Sequence, residues 1–168
     1  SEDETVDCGG ADPFLHDTNI LPAEELDNAG NGRKIDIAFR SDGCPGVLYT
    51  DDNADNLRFA MYDNGIWVYE YPYASNVGST SVGDLSLVFD ENDVPHLAWS
   101  DIAYDTGNDD THYATKANGK WNHVQLSNLP PNTYNTEIIQ FDDGDLEIIA
   151  APFNNYRLYS ELCSSSDD

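Results

Sequence analysis

The stretch "DDNADN" places Asp51, Asn53 and Asp55 at alternate positions, a spacing that lets several oxygen ligands converge on one hard cation such as Ca2+. A helix–loop–helix calcium motif is excluded. Its sixth position would be Asn56 instead of glycine, and its twelfth Tyr62 instead of glutamate. A second acidic stretch, "DIAYDTGNDD", offers Asp101, Asp105, Asn108, Asp109 and Asp110. Calcium is therefore the one cofactor the sequence suggests, held by Asp51, Asn53 and Asp55 or by Asp101, Asp105 and Asp109. The competing reading is that short polar side chains cap turns and keep the surface soluble.

Tyr71, Tyr73, Tyr104 and Tyr134 fall in or beside loops, where aromatic rings could form a stacking surface for carbohydrate. Tyrosines in such places also serve simply as packing residues. Of the four histidines, His96 sits in a repeated framework and reads as structural. His112 and His123 are expected on neighbouring strands, close enough to pair but a weak metal site. No GxSxG, HExxH, phosphate-loop or dinucleotide fingerprint occurs. Ser79 and Ser81 have no identifiable base. Carboxylates are too numerous for a glycosidase pair to stand out.

The charge sets the partners. With 32 acidic against 7 basic residues, the formal net charge is -25. Such a surface repels nucleic acid and anionic membrane, and attracts cations or a basic protein. It also suits a salty milieu, where ions screen the self-repulsion. No apolar run approaches the roughly 20 residues of a membrane span. The 168 residues suit one domain with a real core. Residues 1–13 read as a flexible acidic N-terminus and residues 164–168 as a disordered tail. Acidity, low lysine and strand-rich texture favour a secreted or cell-surface protein.

These residues are set on a repeat. "IDIAFRSDGCPGVLYTD" (35–51) lies over "LSLVFDENDVPHLAWSD" (85–101) at a constant spacing of 50 residues. "NLRFAMYDNGIW" (56–67) lies over "DTHYATKANGKW" (110–121) at a spacing of 54. A third, weaker copy starts at "EIIQFDDGDLEIIAAPF" (137–153), with Phe141 over Phe89, and lacks the proline and the tryptophan. Copies are thus drawn at 35–71, 85–126 and 137–163. Each full copy reads as four strands. Period-two alternation marks the first, Asn64-Gly65 or Asn118-Gly119 supplies a type I′ hairpin before the last, and Trp67 or Trp121 opens that last strand to pack it on its neighbour.

"FDENDVPHLAWSD…THYATKANGKW" resembles the bacterial β-propeller repeat of the type D-x-x-G-x-P-H-x-A-[YW]-x-D followed by N-G-x-W, found in sialidase-like and lectin-like blades. Asp93 stands where glycine is usual, and Gly46 replaces the histidine in the first copy. The resemblance implies an all-β fold built of four-stranded antiparallel propeller blades. It implies no single activity, because lectins, lyases, glycosidases and scaffolds share such blades. The S-x-D-x-G-x-T-W box of sialidases is absent.

About three blades per chain fall short of a ring. Residues 14–26 could supply the strand that the third copy lacks, making 14–163 one domain. Two chains could then close six blades as a homodimer. A fragment of a longer propeller and a compact monomeric sandwich are the rivals. Cys163 ends the third strand of the third copy and Cys8 lies just before the closing segment, so Cys8–Cys163 would staple the closure. Cys8–Cys44 is the alternative pair, and three reduced thiols the third reading. In function, the sequence suggests a non-catalytic module that binds a glycan or a basic protein on its acidic loop face. The alternative is a glycosidase or lyase that uses carboxylates there.

Overall fold

The computed structural model describes residues 34–50, 56–74, 80–103, 110–129, 133–142, 144–152 and 159–163. The expected closing strand at 14–26, both termini, and the loop residues Asp51, Asn53, Asp55, Tyr104, Asp105 and Asp109 lie outside them, as does Cys8.

Eleven strands form three antiparallel sheets among the described residues. The first runs β1 (Ile35–Phe39), β2 (Pro45–Thr50), β3 (Asn56–Asp63), β4 (Ile66–Ala74) in that order. The second repeats it with β5 (Thr80–Phe89), β6 (Pro95–Ala103), β7 (Asp110–Ala117) and β8 (Lys120–Gln125). The third has β9 (Thr133–Gln140), β10 (Leu146–Pro152) and β11 (Tyr159–Cys163), again paired in sequence order.

Local chemistry sets the reversals. Asn64 and Gly65 take φ values of 49° and 83°, and Asn118 and Gly119 take 52° and 74°, the pair of left-handed residues that a type I′ hairpin needs. The turns between first and second strands place Gly43, Asp93 and Gly144 at φ 80°, 60° and 89°. Equivalent turn hydrogen bonds run from the amides of Arg40, Asp90 and Phe141 to the carbonyls of Cys44, Val94 and Asp145. Phe141 therefore matches Asp90, and Gln140 matches Phe89. The third copy is shifted by one residue from the alignment on phenylalanine, because the strand's hydrogen-bonded phase outweighs one aromatic identity.

β1, β5 and β9 lie side by side, with β5 in contact with both. Leu48, Leu57 and Phe59 of the first sheet pack against Leu85, Leu87, Phe89, Leu97 and Trp99 of the second. The opposite face of the second sheet places Ala98 and Val88 against Ile138, Ile148 and Ala150 of the third. Each large buried side chain contributes about 1.5–3 kcal/mol. Gly46 is explained by this packing: a Cβ there would lie 2.6 Å from the Phe89 ring. The usual histidine is lost where the neighbouring sheet needs the space.

The two tryptophans hold equivalent places, half-buried, with different partners. Trp67 meets Tyr62 edge-on across its own hairpin, ring centroids 5.4 Å apart. Trp121 meets Phe59 of the first sheet at the same 5.4 Å, and its indole N–H donates to Glu70 Oε2 at 2.7 Å. Lys116 pairs with the other oxygen of Glu70. Trp121 thus ties one sheet to the one before it.

Candidate functional site

Two places gather chemistry, at opposite ends of the sheets. The first lies at the end that carries the connections 51–55 and 104–109. Asp101 ends the stretch of β6 that pairs with β7, opposite Asp110, and His112 on β7 lies diagonally across from His123 on β8. His112 Nδ1 is 2.9 Å from His123 Nε2, and His112 Nε2 is 3.4 Å from Asp101 Oδ2. The pairing of the two histidines foreseen from the sequence is thus present, extended by a carboxylate. Trp99 stacks on both imidazoles, with centroids 5.3 and 5.2 Å away. Tyr73 stacks on His112 from the first sheet at 5.8 Å.

Burial disfavours charge along this line. Burial pushes the Asp101 carboxyl up to about 6, the Asp110 carboxylate adds to the rise, and the Trp99 indole N–H opposes it from a geometry too poor for a full hydrogen bond. Burial, with repulsion from His123, lowers His112 to about 4. Burial also lowers His123. Between about 4 and 6 a protonated Asp101 carboxyl therefore sits beside a neutral His112 imidazole, a proton-holding arrangement. Among the described residues, no group of three or more His, Cys, Asp or Glu side chains is disposed to hold a metal ion.

The remaining sequence candidates are scattered. Tyr71 is exposed on β4 with the Arg58 guanidinium 5.0 Å from its ring centre. Tyr134 lies near the start of β9, beside the irregular pairing at Ala151 and Pro152. Cys163 is paired opposite Leu146, and Cys44 is fully buried at the head of β2. His96 is structural, its Nδ1 2.5 Å from the Tyr113 hydroxyl.

The second place escaped the sequence. At the end made by the three tight turns, a cavity of about 410 Å³ opens between the sheets. Matching stretches of the three copies line it: Phe39, Arg40 and Ser41; Phe89, Asp90 and Glu91; Gln140, Phe141 and Asp142. Phe39 and Phe141 are exposed. Arg40 is held by Asp42 and by Asp63, the latter at 3.7 Å. The only available signal was that one segment recurs three times, since nothing in a single copy shows where the copies converge.

The sequence matches no protein-family model and no curated protein. In structure the chain is similar to a Hadza microbial sialidase, Hz136, at TM-score 0.55 and 11% identity, over 78% of this chain and 34% of that one. It is also similar to the xylan β-1,4-xylosidase from Bacillus halodurans C-125, at TM-score 0.57 and 12% identity, over 80% of this chain and 30% of that one. The chain therefore spans about a third of the length of either. The likeness is one of fold: an all-β protein with antiparallel sheets of the β-propeller type.

Proposed function

We propose that the chain is a glycan-binding module of the propeller type, secreted or displayed at the cell surface, that seats its ligand in the cavity between the three turns. The observation that carries this reading is the lining of that cavity. Two exposed phenylalanine rings stand among an amide, a hydroxyl, carboxylates and a guanidinium. Rings can cover the apolar face of a sugar while polar groups meet its hydroxyls. The seat lies opposite the loop face that the sequence favoured. Folds shared with a sialidase and a xylosidase agree with a glycan-related role. Export suits the acidic composition, and a disulfide at Cys44 would fit it.

Titration calorimetry after a glycan array tests the seat. Phe141→Ala should weaken binding of the best glycan about two- to tenfold, the scale of one stacked ring, with the fold kept. Undiminished binding would reject the cavity as the seat. A hydrolase reading rests on Asp101, whose raised carboxyl could act as a general acid. Glycoside turnover that Asp101→Asn abolishes would favour it over the binding role.

A further inference from the structure

We propose that two copies of this chain associate head to tail, the outer face of the first sheet seating on the outer face of the third sheet of the other copy, so that both open faces close together.

One link recurs between neighbouring sheets. Asp36 Oδ2 accepts the amide N–H of Leu87 at 2.7 Å. Ser86 Oγ accepts the amide N–H of Ile138 at 3.1 Å. The turn hydrogen bonds put Asp36, Ser86 and Glu137 at one repeat position, and Ile37, Leu87 and Ile138 at the next. Each sheet thus offers an acceptor to the sheet after it. The series leaves a donor position at its head and an acceptor position at its tail. Ile37 N–H turns to its own Asp36 Oδ1 at 2.9 Å. Among the described residues, Glu137 takes the backward contact from Ser86, 3.3 Å from its Oε1.

The apolar surfaces follow the same order. Leu85 and Leu87 are 6% and 3% exposed, packed against the first sheet. Their counterparts Ile35 and Ile37, which face away from the second sheet, are 67% and 52% exposed. At the tail, Ile139 shares the outward face with Glu137 and is 37% exposed. Among the described residues no sheet precedes the first or follows the third, and a second copy carries both faces. Continuity with the two interfaces inside the chain makes the second copy the fitting occupant. The charge of -25 opposes association, so the contact should tighten as salt screens it.

The experiment is sedimentation equilibrium of the full chain at low salt and at roughly 0.5 M sodium chloride, where the screening length falls to a few ångströms. Twice the chain mass is expected at high salt. Ile37→Asp and Ile139→Asp should each give monomers with unchanged near-ultraviolet circular dichroism. Mixing these two variants should restore a fraction of the dimer, because one of the two contacts is then intact. A head-to-head pair would instead ignore Ile139→Asp and overturn the proposal. A ladder of higher masses would overturn the closed pair. A monomer at every salt concentration, with the Ile37 amide protected from hydrogen exchange, would overturn it too and assign the face to residues 1–33 of the same chain.

Discussion

Asp101 and His112 titrate in opposite senses, although they touch. The folded state keeps the Asp101 proton up to about 6, whereas an unfolded aspartate loses it near 3.9. Between those values the native state binds more protons, so stability falls as pH rises. His112 does the reverse. Its folded value near 4 lies below the unfolded 6.5, so stability rises with pH across that window. Each contribution is on the order of 3 kcal/mol, and in the intact protein they nearly cancel. Denaturant unfolding between pH 4 and 6.5 should separate them. Asp101→Asn should leave a curve that climbs with pH, and His112→Gln one that declines. Parallel curves for the two variants would reject the buried assignment of both groups.

Among elements, the turn of the second sheet holds the turn of the first. The Asp93 carboxylate accepts from Ser41 N at 2.5 Å and from Ser41 Oγ at 2.8 Å. That clasp accounts for a residue other than glycine at φ 60°, a conformation that carries strain. Asp93→Gly should relieve the strain and lose the clasp, so its net effect should stay within about 1 kcal/mol. Asp93→Ala keeps the strain and loses the clasp, and should cost about 1–3 kcal/mol more than glycine does. Thermal unfolding of both variants gives the comparison, and equal losses would show that the clasp alone matters. The hairpins were legible because Asn-Gly chemistry is local. The clasp was half-legible: the sequence marked Asp93 as a departure but not what its carboxylate reaches 52 residues away. The slip in the third copy was not legible. With neither proline nor tryptophan to pin it, Phe141 looked like Phe89, and only backbone pairing fixes its phase.

At the scale of the whole molecule, the strand order of the described sheets and the repeat could be read from periodicity, whereas the convergence of the copies on one cavity could not. Periodicity reports which face of a strand is apolar, not which distant segments share an end. The calcium expectation belongs at this scale, because every carboxylate feels the field of a chain at -25. Asp101 and Asp110 lie directly opposite each other at the root of the acidic loop, and a bound ion would relieve their repulsion. If the loops hold calcium, millimolar Ca2+ should raise the melting temperature above that in sodium chloride of equal ionic strength. Asp51→Asn with Asp55→Asn should remove the increment if the first loop holds the ion. Equal melting in both salts would leave a screened surface with no specific site.

The Asp36-to-Leu87 and Ser86-to-Ile138 bonds give the chain a direction, much as a zip has a leading and a trailing tooth. A sheet unit carrying both halves of that link is interchangeable in principle with its neighbours. Duplicating the segment that encodes the second sheet and setting the copy directly after it would present each new face with the kind of surface it already meets. Growth of the protein by whole units is thus open to it in a way that growth by single strands is not, since an added strand would meet neither half of the link.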